Sequence, residues 1–105
     1  MMNPVFIEIP KGFKSMTGRQ FIEEIEICDE GKAWMKKIGL KHRLPFYWNR
    51  CSRYGWLDYI RWKLNYEQYD DVDPLRYAGL ILDAGTIISK KKADHYRSIV
   101  KIKWI

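Results

Sequence analysis

Carboxylates are the side chains whose clustering in this sequence first indicates chemistry, because grouped carboxylates bind divalent cations. Asp70, Asp71 and Asp73 are spaced like the start of a calcium-binding loop. The glycine and the terminal glutamate of such a loop do not follow, and Asp73 before Pro74 instead predicts a helix N-terminus. The acidic residues between positions 23 and 30 fall on the polar side of an amphipathic helix, where carboxylates are solvated. The carboxylates therefore predict no metal site.

Thiols and imidazoles, which serve as nucleophiles, general bases and zinc ligands, are few. Cys28 and Cys51 form no CxxC pair, and His42 and His95 do not stand at zinc-finger spacing from them. Both cysteines lie among apolar positions, which predicts buried, reduced thiols. The sequence also has no G-x-S-x-G elbow, no glycine-rich phosphate loop and no H-E-x-x-H. We therefore expect a protein that is not an enzyme, with no catalytic residue, cofactor, metal ion or small-molecule substrate.

The charge of the chain is unevenly distributed. The formal net charge is +6 over 105 residues, of which 47% are hydrophobic and 30% charged, the proportions of a globular domain. Residues 41–63 contain six basic residues and one acidic, residues 64–86 one basic and five acidic, and residues 87–105 six basic and one acidic. Two basic segments thus flank an acidic one. Such a field steers a protein towards phosphate groups or an acidic partner.

Aromatic and basic residues are densest over residues 46–64, FYWNRCSRYGWLDYIRWKL, and helical periodicity divides this stretch into two faces. The predicted inward residues are Trp48, Cys51, Trp56, Leu57, Ile60 and Leu64. The predicted outward, partner-binding residues are Arg50, Arg53, Arg61, Trp62 and Lys63. A second candidate contact face comprises Lys90, Lys91, Lys92 and Arg97, together with Lys101 and Lys103. Such mixtures are typical of interaction hot spots. The plainer alternative is that the aromatic residues form the core and the charges only interact with water.

Helix signals position the first of these residues. Thr17 is a predicted N-cap for a helix from Gly18 to Ile38, which has Cys28 on its apolar stripe and Gly39 as its C-cap. Pro45 predicts the first turn of a second helix. Gly55 is predicted to interrupt that helix, and a third helix follows.

The rest of the chain predicts one more helix and two strands. Pro74 begins a fourth helix whose apolar residues run to Leu82, and the lysines at 90–92 form a solvated turn. Val5–Ile9 is β-branched and bracketed by prolines, which predicts a short strand. Residues 99–105 alternate apolar residues with lysine, which predicts a strand with its lysines facing water. We expect this strand to pair with Phe6–Ile9.

Together these elements predict a mainly α fold. It is a small single-domain bundle of about four helices, with a short two-stranded β-ribbon from the N- and C-terminal segments. Residues 1–105 form one domain. Within it, residues 1–16 are an arm and loop, residues 17–86 the helical core, and residues 87–105 a basic C-terminal segment.

Two blocks, CDEGKAW at residues 28–34 and WNRCSRYGWLDYI at 48–60, resemble a family of small helical proteins encoded by bacteriophages and prophages. That family pairs a C-x-E-G-x-x-W block with a W-x-x-C-x-R-x-D-W-L-x-W-L block. The matching residues are Cys28, Glu30, Gly31, Trp34, Trp48, Cys51, Arg53, Trp56, Leu57 and Ile60. Gly55 stands where the family has aspartate, which removes a candidate helix N-cap, and Tyr59 replaces the second tryptophan. The resemblance covers residues 21–64 and implies a helical fold and a phage context.

A phage context implies a protein that binds and inhibits, or modulates, a host nucleic-acid enzyme complex. The candidates are a CRISPR effector, a restriction system, a recombination nuclease or a polymerase, so the expected partner is a host protein or nucleoprotein complex. The alternative is direct binding of nucleic acid by the basic and aromatic face, and an immunity or antitoxin role is a further one. The sequence predicts neither a signal peptide nor a membrane span, so we expect the protein in the bacterial host cytoplasm.

Overall fold

The computed structural model describes residues 3–65 and 73–105, and in these residues it has six helices and two strands. In chain order they are β1 (Val5–Ile9), α1 (Gly18–Glu24), α2 (Asp29–Ile38), α3 (Leu44–Arg50), α4 (Tyr54–Leu64), α5 (Pro74–Tyr77), α6 (Lys90–Ile99) and β2 (Val100–Trp104). The predicted mainly α fold is confirmed, with a two-stranded sheet from the two terminal segments. Asp70 and Asp71, which are spaced like the start of a calcium-binding loop, lie outside the described residues.

The segment predicted as one long helix forms two, α1 and α2. Thr17 is the N-cap of α1 as predicted, because its hydroxyl accepts the Gln20 N–H and the Gln20 side chain accepts the Thr17 N–H. This helix ends at Ile25, a β-branched residue with extended backbone (φ −112°, ψ 130°). A new helix start follows at Cys28, whose thiol accepts a backbone N–H from the first turn of α2. Cys28 is exposed as a result, so the predictions of a buried thiol and of one continuous stripe are wrong.

Helices α3 and α4 are separated by Cys51–Arg53, and the predicted break at Gly55 is wrong. Gly55 is buried in the first turn of α4. A Cβ at this position would lie 2.6 Å from the backbone nitrogen of Gly85 and 2.9 Å from Oδ2 of Asp83. Only glycine lets the loop that carries these two residues approach the helix so closely. Pro45 lies in the first turn of α3, as predicted.

The predicted fourth helix is reduced to the single turn α5. Its predicted N-cap is confirmed, since the Asp73 carboxylate accepts the Leu75 N–H at 3.1 Å. The chain leaves the helix before Gly79, whose φ of +74° is a left-handed conformation that suits glycine. Beyond it, Ile81 and Leu82 are 69% and 88% exposed rather than part of a longer apolar face. The loop from residue 79 to 88 therefore presents large apolar side chains to solvent.

The lysines at 90–92 belong to a helix, and the prediction of a solvated turn is wrong. They form the first turn of α6, and Ser89 is its N-cap, with a hydroxyl that accepts the Lys92 N–H at 3.2 Å. A serine cap is sufficient to start a helix here although cations at a helix N-terminus are unfavourable. All three lysine side chains are exposed.

The two strands pair in parallel, with Val5 opposite Val100 and Glu8 opposite Lys103. The predicted pairing of the terminal segments is thus confirmed. Lys101 and Lys103 are exposed, as the alternation predicted, and the apolar residues between them turn towards the helices.

The core is built mainly from aromatic and branched side chains. The largest fully buried ones are Tyr54, Tyr96, Phe21, Ile9, Leu57 and Val100. The predicted inward set is confirmed, with Trp48, Cys51, Leu57 and Leu64 buried and Trp56 and Ile60 half-buried. The Cα radius of gyration is 13.1 Å, close to the value of about 13 Å for a domain of 100 residues. None of the described helices is long and apolar enough to cross a membrane.

Candidate partner-binding surface

Arg61, predicted as an outward residue, is buried, with 5% of its surface exposed. Its Nη2 lies 2.8 Å from Oδ1 of Asp58, and the Tyr96 hydroxyl donates to the same oxygen at 2.8 Å. Burial and the neighbouring Asp58 carboxylate raise the pKa of Tyr96, so its hydroxyl remains a donor. The prediction that Arg61 faces outward is wrong, because Asp58, one turn before it, supplies an internal counter-ion.

Arg53 also acts mainly within the protein. Its Nη1 lies 3.1 Å from a carboxylate oxygen of Glu30 and donates to the Gly85 carbonyl at 2.8 Å. Its guanidinium carbon lies 4.2 Å from the ring centroid of Trp56. The side chain is only 22% exposed, so it links α2, α4 and the 79–88 loop more than it faces solvent.

Arg97 is the third predicted contact residue that stabilises the fold. Its guanidinium donates to the carbonyls of Trp48 and Cys51, at 2.9 and 2.6 Å, and so satisfies the C-terminal end of α3. It also donates to Asp94 at 2.6 Å, and Lys90 donates to the other oxygen of that carboxylate at 2.9 Å. The hydrogen bond from Lys90, which has the larger effect, and the one from Arg97 both lower the pKa of Asp94.

Three adjacent exposed or partly exposed residues of α4, Tyr59, Trp62 and Lys63, remain as an outward cluster, which we call the α4 patch. Trp62 is 46% exposed, and its ring centroid lies 6.2 Å from that of Tyr59. The ammonium of Lys63 lies 5.6 Å from the Tyr59 centroid and 5.5 Å from that of Trp62, a cation–π arrangement. The patch presents one cation and two aromatic faces, and it confirms the outward position of Trp62.

A second cation–aromatic pair lies on α3. Arg50 is exposed, and its guanidinium carbon lies 4.3 Å from the ring centroid of Phe46. Phe46 stacks in turn on His42, with ring centroids 3.9 Å apart. Arg50 is therefore outward as predicted.

Beside the α4 patch lies a groove of about 540 Å³ lined mostly by apolar side chains, which we call the apolar groove. Its lining includes Trp34, Trp56, Leu57, Tyr59, Trp62 and Leu82. Its volume is within the range of about 300–1,000 Å³ of ligand-binding clefts. Leu82 was missed as a candidate because it was predicted as helix core. The sequence signal that could have indicated an exposed loop is the pair of glycines, Gly79 and Gly85, on either side of an apolar segment.

The two sequence blocks at residues 28–34 and 48–60 meet in the fold. Glu30 from the first block pairs with Arg53 from the second, and the ring centroids of Trp34 and Trp56 lie 6.1 Å apart. Cys51 is buried, and burial raises the pKa of its thiol. The shared residues thus form the framework that supports the apolar groove, and the exposed α4 patch lies mostly outside them.

Metal-binding side chains are not grouped in residues 3–65 and 73–105, where no three His, Cys, Asp or Glu residues come together as a candidate site. No protein-family model, curated protein or solved structure is significantly similar to this chain.

Proposed function

We propose that this chain is a partner-binding protein, of the phage-encoded kind that its motifs resemble, which inhibits or modulates a host nucleic-acid enzyme complex. The observation that carries the proposal is the apolar groove with the exposed Trp62 and Leu82 beside it. Large apolar side chains around a concave surface are costly to hydrate, and contiguous patches of this kind mark protein-binding sites on soluble proteins.

The chemistry of the surface favours a protein partner with acidic groups. An apolar side chain of the partner would occupy the groove, while a carboxylate at its edge would meet the ammonium of Lys63. Aromatic residues beside a cation are the composition of binding hot spots. The surplus of basic residues over residues 41–63 would accelerate association with an acidic surface.

The capture test uses the whole chain as bait in a bacterial lysate treated with nuclease. We expect one host protein or complex to be retained in stoichiometric amount, and Trp62→Ala with Lys63→Glu to abolish its retention. The matched control is Lys37→Glu, which makes the same charge change on an exposed position of α2. The proposal would be contradicted if the double variant and the Lys37→Glu control retained equal amounts of the host protein. It would also be contradicted if the chain retained no stoichiometric protein at all.

Inhibition is tested on the captured complex itself. Its DNA or RNA cleavage, or its polymerisation, is measured with increasing amounts of the chain. We expect activity to fall, or its products to change, at amounts of chain equal to those of the complex. The Trp62→Ala variant should require a much higher concentration. A captured complex whose activity is unaffected at saturation would leave binding intact but contradict the modulating role.

Direct nucleic-acid binding is the second candidate, and one observation favours it. Lys90, Lys91 and Lys92 are all exposed in the first turn of α6, where the helix dipole disfavours cations in the absence of an anion. Lys90 already pairs with Asp94, so phosphate contacts by Lys91 and Lys92, with base stacking on Trp62, would account for the two remaining cations and for the exposed ring.

This candidate is tested by fluorescence anisotropy with labelled single-stranded and duplex DNA and RNA. If it is correct, affinity falls steeply with salt, and Lys91→Glu with Lys92→Glu reduces the salt dependence as well as the affinity. No binding at about 50 mM salt, where phosphate contacts are strong, would eliminate it.

A further inference from the structure

The two edges of the sheet are unequally protected. Beside β1, the Asn65 side-chain amide donates to the Glu8 carbonyl, and the Tyr77 hydroxyl donates to the Asn3 carbonyl at 2.5 Å. Within the described residues, the backbone groups of residues 101–104 in β2 form no hydrogen bonds other than those with β1. One side of β2 therefore keeps a row of backbone donors and acceptors that a further strand can use.

A groove of about 520 Å³ adjoins β2. Its walls come from the strand, from α3 and from the last turns of α6, with Lys101, Ile102, Trp104, Pro45, Trp48 and Ser98 among the lining residues. Unlike the apolar groove, it combines polar and apolar walls. Four of the five residues of β2 line it, and a groove that follows a strand is the geometry that accepts an extended peptide.

The existing neighbour of β2 indicates which side chains such a peptide would carry. In β1, which reads VFIEI, Glu8 stands opposite Lys103 in register, and their charged atoms are 3.6 Å apart. Lys101 and Lys103 are two residues apart and share one face of the strand, whereas Ile102, between them, faces the other way. A strand on the open side would meet the same alternation of cationic and apolar positions.

We propose that the open edge of β2 binds an extended segment of a partner protein in which acidic and apolar residues alternate, by adding a third strand to the sheet. The acidic side chains of that segment meet Lys101 and Lys103, and the apolar ones lie on the side of Ile102 and Trp104. Backbone hydrogen bonds supply affinity, and the alternating side chains supply specificity. This site is separate from the α4 patch, and its partner need not be the protein bound there.

Charge disfavours a second copy of this chain as the occupant. Two β2 strands paired edge to edge would bring lysines of one copy next to lysines of the other on the same face, and like charges in that position are destabilising. Residues 87–105 contain six basic residues and one acidic, so this whole end of the protein repels its own copy. The same charges attract an acidic strand.

The test uses the full chain and a synthetic, end-blocked peptide of sequence Glu-Val-Glu-Val-Glu as the probe. We expect binding to shift the amide NMR signals of residues 100–105 and to slow their hydrogen exchange. Replacing both Lys101 and Lys103 by Gln should weaken binding about tenfold, because two cross-strand charge pairs are lost. Lys91→Gln with Lys92→Gln removes the same charge from α6 and should leave the affinity unchanged.

Two further probes separate strand addition from simple charge attraction. A peptide of the same sequence with an N-methyl group on every amide keeps its charge but loses all of its backbone donors, and it should not bind. Equal binding of the methylated peptide, or equal affinity of the two double variants, would overturn the proposal. Concentration-dependent protection of β2 without any peptide would also overturn it, because the occupant would then be a second copy.

Discussion

The carboxylate of Glu30 lies 3.1 Å from the guanidinium of Arg53 and thereby joins two segments of the chain that are 23 residues apart. The same guanidinium lies over Trp56 and donates to the Gly85 carbonyl. The pair is therefore one contact in a junction between α2, α4 and the 79–88 loop, and the loop in turn carries Leu82 to the apolar groove.

The two members of the Glu30–Arg53 pair should contribute unequally to the free energy of unfolding. Glu30 is 76% exposed, so Glu30→Ala should cost less than about 1 kcal/mol, as for surface ion pairs. Arg53→Ala also loses the contact with Trp56 and the hydrogen bond to Gly85, and should cost about 1–3 kcal/mol. Urea denaturation of both variants gives the comparison. Equal costs would mean that the ion pair alone accounts for the role of Arg53.

Gly55→Ala should destabilise the protein, although alanine normally favours a helix. The new Cβ would collide with the backbone of Asp83 and Gly85, and such overpacking costs about 1–3 kcal/mol. The matched control is Gly31→Ala in α2, where a Cβ would meet Cys28 Sγ at 3.5 Å, an ordinary contact. That control should gain about 0.5–1 kcal/mol. Thermal unfolding temperatures that change in the same direction for both variants would contradict the close approach at Gly55.

Arg61→Ala should be the most destabilising of the arginine substitutions. It would leave the Asp58 carboxylate and the Tyr96 hydroxyl without a buried cation, and breaking one member of a buried pair costs about 3–5 kcal/mol. Arg50→Ala, on an exposed position, loses only the cation–π contact with Phe46 and should cost less than about 1 kcal/mol. Circular dichroism during urea unfolding measures both variants. Similar stabilities for the two would contradict the burial of Arg61.

Asp83 should make the protein less stable in acid. Burial opposes its ionisation, but hydrogen bonds from the Thr86 hydroxyl and from the N–H groups of Ile87 and Gly85 outweigh burial and lower its pKa. A carboxyl with a lowered pKa contributes stability above its unfolded pKa of about 3.9. That contribution is lost as pH falls through the lower folded value. Unfolding free energies measured from pH 7 downwards should therefore fall below about pH 4, less steeply in Asp83→Asn.

Thr86→Ala gives an intermediate case for the same carboxyl. It removes one hydrogen bond to Asp83 while leaving the two backbone donors, so its acid-induced loss of stability should lie between those of the unaltered chain and Asp83→Asn. If the stability of Asp83→Asn falls with pH in the same way as that of the unaltered chain, the predicted contribution of the Asp83 carboxylate is contradicted.

The two cysteines should react at very different rates in the folded protein. Cys28 is exposed, whereas Cys51 is buried and its raised pKa keeps it in the unreactive thiol form. A colorimetric disulfide reagent should therefore titrate one thiol at once and the second only after denaturant is added. Cys28→Ser should remove the fast phase. A fast phase that persists in that variant would show that Cys51 is accessible.

Much of the fold could be predicted because its signals are local. The N-caps at Thr17 and Asp73, Pro45 in the first turn of α3, and the alternation of residues 99–105 each depend on neighbours within a few positions, and all were confirmed. The predictions that failed concern breaks, lengths and the first turn of α6, whose lysines were predicted to form a turn. Cys28 is an unusual cap because a thiol is a weak acceptor, and α5 ends before Gly79, whose positive φ stops the helix.

The candidate surface was harder to predict than the fold. Periodicity correctly put Arg50 and Trp62 outside, but it misplaced Arg61. Its counter-ion Asp58 is only three residues away in the chain, whereas Tyr96, which donates to Asp58 and helps to bury the pair, becomes a neighbour only on folding. It also could not predict that Leu82 would be exposed, because an apolar residue in a sequence is by default assigned to the core.

The sequence by itself determined where most helices and strands begin, which residues of α3 and α4 face inward, and how charge is distributed along the chain, because each follows from spacing and composition. Only the tertiary structure decided which arginines are used internally, that Gly55 is needed for a close approach, and that β2 keeps an open edge beside two lysines. These features depend on contacts between residues distant in the chain, and no local pattern specifies such contacts.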